Sequence, residues 1–394
     1  MSEWKKVKLG EICERITSGG TPKANISSYY DPPTIPWLKT KEVNYCRIRE
    51  TENYISEEGL NNSSAKLIAP NSVIIAMYGQ GDTAGRVAIN KIPLTTNQAC
   101  CNLTINKDKA DYEFIYYQLC TLYNKMVSLK AGAAQPNLNA QIIKNLEVLL
   151  PSLQDQHRIA TILSRYDSLI ENYQKQIKLL EEAAQRLYKE WFVDFRFPGH
   201  ENTKIVDGVP EGWEKKALSD ISSIIMGQSP KSEFYNTNGN GLPFHQGVGS
   251  YGYRFVVDNI YSTSFTRIAE PNSILFSVRA PVGRLNITKN KIVIGRGLAA
   301  INHKTGCQSY LYYLLKEKFF KDDIIGNGAI FASISKDELY NQVFVIPSDE
   351  MVMKYDAIAN KIDKNIQYVD SQIRLLTEAR DRLLPKLMSG EIAV

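Results

Sequence analysis

Apolar residues recur between positions 151 and 199 at Ile159, Ile162, Tyr166, Leu169, Tyr173, Ile177, Leu180, Ala184, Leu187 and Trp191, always three or four apart. That spacing is the stripe of a long helix burying one seam against another helix. Moving 196 residues along the chain recovers most of it, at Tyr355, Ile358, Ile362, Val369, Ile373, Leu376, Leu383 and Leu387. Asn365 and Arg380 are the polar interruptions, and Ile366 fills the face beside the first of them. Two helices of roughly 40 residues, each about 60 Å long, are predicted. Their matched register predicts that they pair as an antiparallel coiled coil.

The helices are the most regular part of a unit used twice. Trp4 and Trp213 open the copies, in WKKVKLGEI and WEKKALSDI. Pro70-Asn71-Ser72 returns as Pro271-Asn272-Ser273, each time before an apolar, strand-like run. Gly85-Arg86 returns as Gly283-Arg284, Gly132-Ala133 as Gly328-Ala329, and Leu150-Pro151 as Ile346-Pro347. QIKLLEEAAQRL at 176–187 matches QIRLLTEARDRL at 372–383. The opening halves differ: from tryptophan to Pro-Asn-Ser is 66 residues in one copy and 58 in the other, through turn-rich, strand-like sequence such as SGGTPK and GQSP. One half of the unit is held while the other is free to vary, as a reader with exchangeable recognition surfaces requires. The fold class is α+β, with an internal pseudo-two-fold repeat. Two similar globular domains, 1–150 and 199–346, are each followed by a long helix, 151–198 and 347–394, and each globule carries one shorter helix, over 111–130 and 309–325.

Composition changes this picture little. With 43% hydrophobic and 23% charged residues the chain is typical of soluble globular proteins, and no apolar run is long enough to span a bilayer, so a cytoplasmic location is expected. The net charge of +5 is unevenly placed. Residues 2–150 hold 17 basic and 14 acidic side chains and 199–346 hold 16 and 13, whereas 151–198 hold 7 and 7 and 347–394 hold 7 and 8. The basic excess lies in the globules, which suits a nucleic-acid partner. The six cysteines show no C-x-x-C spacing and the four histidines no H-E-x-x-H, so neither structural disulfides nor a metal site is expected. Asp31-Pro32-Pro33 begins like the tetrad with which amino-methyltransferases grip a flipped base, but Thr34 stands where the aromatic residue belongs. GQGDTAG at 79–85 is followed by an alternating strand pattern rather than the helix a phosphate loop needs, so it is a hairpin loop.

What remains is a set of polar and basic residues in the variable halves. IPWLKTKEV at 35–43 sets Lys39, Thr40 and Lys41 beside Trp37, with both lysines on one face if the segment is a strand. Gln80, Thr83 and Arg86 lie on the glycine-rich loop; His245, Gln246, Arg254, Arg279 and Arg284 are the candidates of the second copy. Arginine, lysine and amide side chains read base edges in the major groove and also grip phosphates, so these residues are expected to bind DNA.

RLYKEWFVDFRFPG at 186–199, VPEGWEKKALSDI at 209–221, LPSLQDQHRIATIL at 150–163 and RLLPKLMSGEI at 382–392 resemble the wording of the DNA-specificity subunits of type I restriction-modification systems. The likeness covers nearly the whole chain. It implies two target-recognition domains, each reading one half of a bipartite, asymmetric site on double-stranded DNA. It also implies that the two helices set the spacer and dock two methylation subunits, with motor-nuclease subunits joining for restriction. Gln154, Gln156, Arg158, Trp191, Phe192, Leu384 and Leu387 are the docking candidates. No cofactor is expected in this chain: S-adenosylmethionine, ATP and Mg belong to the partner subunits. The second copy has PSDEMVMKYDAIA at 347–359 in place of the stretch holding Gln154, Gln156 and Arg158, so docking there is expected to be asymmetric. Two other readings compete. A stand-alone methyltransferase or nuclease would bind the methyl donor or a metal by itself. A tandem coiled-coil scaffold for protein partners would show no site-specific shift on DNA.

Overall fold

A computed structural model of the chain describes residues 4–130, 137–319 and 333–394. The repeat positions 132–133 and 328–329, and the end of the helix expected over 309–325, lie outside the described residues. The chain divides into two compact units, Met1–Asn172 with Gln372–Val394, and Tyr173–Ser371.

The long helices span Leu153–Phe192 and Asp349–Ser389. Each starts on a serine whose hydroxyl accepts a first-turn amide hydrogen: Ser152 from Asp155 at 3.2 Å, and Ser348 from Met351 at 3.4 Å. Gly390, at φ +74°, ends the second in the left-handed geometry that glycine adopts most readily. Within the first unit the helix segments run in opposite directions, since Asp167 meets Arg380 while Arg158, earlier on the first helix, reaches the Val394 carbonyl. The second unit repeats this. Tyr355 donates to the Ala184 carbonyl at 2.9 Å, and Glu181, earlier on the first helix, shares Arg254 with the later Asp363.

The seam departs from the expected stripe at two places. Leu169 and Ile358 are 45% and 43% exposed, and Ile170 and Ala359 are buried instead. Ile159, Leu163, Asp167 and Ile170 are buried over an interval of eleven residues, and the pattern then steps by sevens to Ile177, Ala184 and Trp191. A strict 3.5-residue repeat drifts off the face of a 3.6-residue helix, and the eleven-residue step restores it. Arg380, the polar interruption, ion-pairs with Asp167 across the seam at 2.7 Å.

Each globule is built on an antiparallel sheet. In the first unit the order is Cys13–Ser18, Cys100–Ile105, Val73–Ala76, Val87–Asn90, with Cys46–Ile48 added in parallel at the edge. In the second it is Ser222–Met226, Leu298–His303, Ile274–Ser277, Leu285–Ile287, and a lone parallel bridge from Phe255 to Ile287 stands where the edge strand was. The repeated Pro-Asn-Ser turns enter corresponding strands. Asn71 and Asn272 both sit at φ +65°, a left-handed conformation asparagine tolerates. The next amide, of Ser72 or Ser273, donates to the Asn90 or Thr288 side chain at 2.9 or 3.0 Å. Helix Tyr112–Thr121, or Gln308–Phe319 in the second unit, packs its aromatic face against the sheet and the long helices in one core. A second sheet sets Ile35–Leu38 parallel to Thr95–Thr96, and correspondingly Leu242–His245 parallel to Ile292–Ile294.

All six cysteines are thiols. Burial pushes those of Cys13, Cys101 and Cys120 up to about 12, which makes them poor nucleophiles. Among the described residues, no helix is long and apolar enough to cross a membrane.

Candidate nucleic-acid interface

The strand registers bring three loops to one end of each main sheet. In the first unit Ser18 pairs with Cys101 and Ala76 with Cys100, so the turn after Ser18, the turn before Cys100 and the hairpin after Ala76 emerge together. In the second unit Met226 pairs with Ala299 and Ser277 with Leu298, with the same result.

At this end a corner is built twice from matching backbone bonds. Gly19 and Gly20 donate to the carbonyls of Cys100 and Thr96 at 3.1 and 2.8 Å; Gly227 and Gln228 donate to those of Leu298 and Ile294, both at 2.9 Å. Asn97 donates to Leu38 at 2.9 Å, and Gly295 to His245 at 2.8 Å. The Tyr30 hydroxyl donates to the Pro22 carbonyl at 2.8 Å, and the Tyr235 hydroxyl to that of Pro230 at 2.8 Å. Glycine is required at the first position: a Cβ on Gly19 would stand 2.2 Å from the Thr96 carbonyl oxygen, and one on Gly227 2.1 Å from that of Gly295. On this shared frame the side chains differ. Gly20 corresponds to Gln228, Lys39 to Gln246 and Gln98 to Arg296, while Lys23 and Lys231 are the same residue at the rim.

The expected DNA-binding residues fall into two groups. Exposed near this end are Gln80, Lys41, Gln246 and Arg279. Lys41 ion-pairs with Glu52, and Arg86 is held by Asp82 at 2.5 Å and Asn44 at 3.0 Å. The Thr83 hydroxyl donates to the Gln80 carbonyl at 2.7 Å. Lys39 donates to Asn53 at 2.9 Å and lies 4.9 Å above the Trp37 ring. Arg284 lines a cleft of about 410 Å³ with Tyr253, Tyr312 and Lys316. The single strand expected over 35–43 is corrected: it ends at Leu38, and Thr40–Glu42 is a 3-10 turn, so the two lysines do not share a strand face.

Two residues are withdrawn from the surface altogether. His245 is 1% exposed, with Nδ1 against Ser250 at 2.8 Å and Nε2 against Asp258 at 2.9 Å, which leaves no ring nitrogen for a base. Arg254 is also 1% exposed. Its guanidinium donates to Glu181 at 2.9 Å and Asp363 at 2.6 Å and lies 3.6 Å above the Tyr312 ring. Tyr313 donates to the same Asp363 oxygen at 3.0 Å.

The first unit holds the counterpart of this buried clamp. Arg47, in the parallel edge strand as Arg254 is next to the parallel bridge, donates to Tyr117 at 2.8 Å and pairs with Asp167 at 3.0 Å. Tyr117 in turn donates to Asp167 at 2.5 Å. Tyr117 and Tyr313, like Asp167 and Asp363, are 196 residues apart. Burial, with the charge of Asp167, raises the Tyr117 phenol well above its ordinary value, so it stays a neutral donor. In each unit an arginine from the variable half thus pins its globule to an aspartate of a long helix. Such buried ion pairs serve geometry more than net stability.

The family model of the type I restriction modification DNA specificity domain matches residues 1–182 and again 210–383. The chain belongs to that family. The MjaIX specificity subunit of a type I restriction enzyme from Methanocaldococcus jannaschii is 29% identical, over all of this chain and 94% of the relative. The putative MjaX specificity subunit of the same organism is 30% identical over the same shares. The crystal structure of a type I system S subunit from M. genitalium has the same fold, with a TM-score of 0.60 at 18% identity over 98% of this chain and 96% of that one. Both family segments therefore include a corner and a clamp.

Membership in the family does not make every expected docking residue a surface residue. Trp191 and Phe192 are buried in the second core, Leu387 is buried in the first, and Leu384 is half-buried against it. Gln156 is buried too, accepting from the Asp111 amide at 3.0 Å and donating to the Pro151 carbonyl at 3.1 Å. These residues tie helix to globule, and of them only Leu384 keeps a partly exposed face. Gln154 and Arg158 are exposed. The residues that reading the chain missed are Gln98, Gln228, Arg296 and the two clamps. The signal for the corner was present in Gly-x-x-Pro-Lys, which occurs as Gly19 to Lys23 and as Gly227 to Lys231.

Proposed function

We propose that this chain is the non-catalytic DNA-reading subunit of a type I restriction-modification complex. Each globule reads one half of a bipartite, asymmetric site on double-stranded DNA, and the long helices set the spacer and dock two methylation subunits. The observation that carries this reading is the corner built twice on one backbone frame with different side chains, in a chain of the DNA specificity family. A shared frame presents each loop set to the groove in the same way, and unlike side chains select unlike bases. The chain's own residues do the recognising and positioning. S-adenosylmethionine, ATP and Mg act in the methylation and motor-nuclease subunits.

Methyl transfer to DNA, measured with the chain alone and with its methylation subunit, tests this division of labour. The complex should methylate adenine at one bipartite sequence, and the isolated chain should neither retain the methyl donor nor transfer methyl. Donor bound by the isolated chain would contradict the reading.

A further inference from the structure

We infer that the specificity of each half-site is set at the twice-built corner, by Gln228, Gln246 and Arg296 in the second globule and by Lys39 and Gln98 in the first. Lys231 and Lys23 are the phosphate anchors beside them. The inference deepens the reading proposed above and rests on it. Several arginines of this molecule are committed to buried carboxylates, as Arg47, Arg254 and Arg380 are. In the second corner Gln228, Gln246 and Arg296 are not, whereas in the first Lys39 bonds Asn53 and Gln98 bonds Thr21. Gln228, Gln246 and Arg296 are exposed, and among the described residues no carboxylate pairs with the Arg296 guanidinium.

The backbone beneath them is held firmly. Arg296 donates its amide to the Ser229 hydroxyl at 3.2 Å, and Gly297 donates to the Gln246 carbonyl at 3.1 Å. A Cβ on Gly297 would stand 2.3 Å from that carbonyl oxygen, so the two loops touch backbone to backbone. In the first globule the Thr21 hydroxyl bonds the Gln98 side chain, which aims its amide, and Trp37 donates to the Gly20 carbonyl at 3.1 Å. The absence of a side chain at Gly20 also has a cause. A Cβ there would lie 2.2 Å from the Ser64 backbone. Rigid frames are what groove readout needs, because a base edge is recognised by bidentate geometry. Arginine matches the O6 and N7 acceptors of guanine, and glutamine the N6 and N7 pair of adenine. Arg296 is accordingly assigned to a guanine and the two glutamines to adenines. Lys231, 82% exposed at the rim, supplies charge without base preference.

The test uses the chain in complex with its methylation subunits and a set of duplexes carrying the methylated site with each base pair replaced in turn. For the unaltered complex, replacing the guanine pair read by Arg296 should weaken binding about tenfold or more. With R296A the same replacement should cost less than about twofold, since the contact is already gone, while every pair of the other half-site keeps its full penalty. R296K keeps the charge but loses the planar fork, so it should lose the guanine preference and retain the salt slope. K231A should weaken binding to all duplexes alike and lower the salt slope by about one. Identical penalties at every pair for R296A and the unaltered complex would overturn the inference, including the case in which R296A weakens all duplexes uniformly. If the unaltered complex shows no dependence on base sequence, the failure belongs to the proposed function rather than to the corner.

Discussion

Replacing Arg254 by methionine is expected to destabilise the second unit by about 3–5 kcal/mol, the usual cost of removing one partner from a buried ion pair. Methionine keeps much of the packing volume, but Glu181 and Asp363 are left buried without the guanidinium that bonds both. The remaining help is small: Lys316 stands 3.5 Å from Glu181, and Tyr313 donates a neutral hydroxyl to Asp363. Chemical denaturation followed by fluorescence should show the loss in the transition of that unit, while Arg279→Met, at an exposed position, should stay within about 0.5 kcal/mol. Neutralising the site as a whole, by Arg254→Met with Glu181→Gln and Asp363→Asn, should restore much of the stability, because no charge is then left buried alone. If Arg254 were a base reader, Arg254→Met would leave the transition in place and alter the methylated sequence instead.

Phe192→Ala is expected to cost about 3–5 kcal/mol, the range for deleting a buried aromatic ring from a packed core. Its ring lies 5.0 Å from Tyr188, 5.2 Å from both Tyr310 and Tyr355, and 5.9 Å from Trp213, mostly tilted or edge to face. Those neighbours come from both long helices, the short helix and the chain's re-entry into the second globule, so they have no common way to collapse into the hole. Thermal unfolding should show the second unit melting well below the first. Were Phe192 a docking anchor, stability would hold and only the affinity for the methylation subunit would fall.

The helices, the duplication and the α+β globules were legible because each is written in local, periodic signals. The apolar stripe needs only neighbours three and four positions away, and the Pro-Asn-Ser turn is specified by one left-handed asparagine. The polar interruption at Arg380 was visible too, though its meaning depended on Asp167, far away in the chain. The errors have one origin. An arginine just after a Tyr-Gly-Tyr run looks solvent-facing, yet Arg254 is bonded to carboxylates 73 and 109 residues away. His245 looked like a reader for the same reason, with its acceptor Asp258 hidden in the next loop. Trp191 and Phe192 carry the size and chemistry of interface anchors, and burial alone separates a core residue from one of those. The corner was nearly illegible. Lys39 and Gln246, or Gln98 and Arg296, share no identity, and only the ladder of backbone bonds beneath them establishes that they are counterparts.

The most direct test of the account is the map of methylated adenines in cells expressing this chain with its methylation subunit. The expected map holds one bipartite motif whose two halves differ in sequence and are separated by a gap of fixed length with no base preference. Methylation without any motif, or at a single uninterrupted sequence, would contradict it.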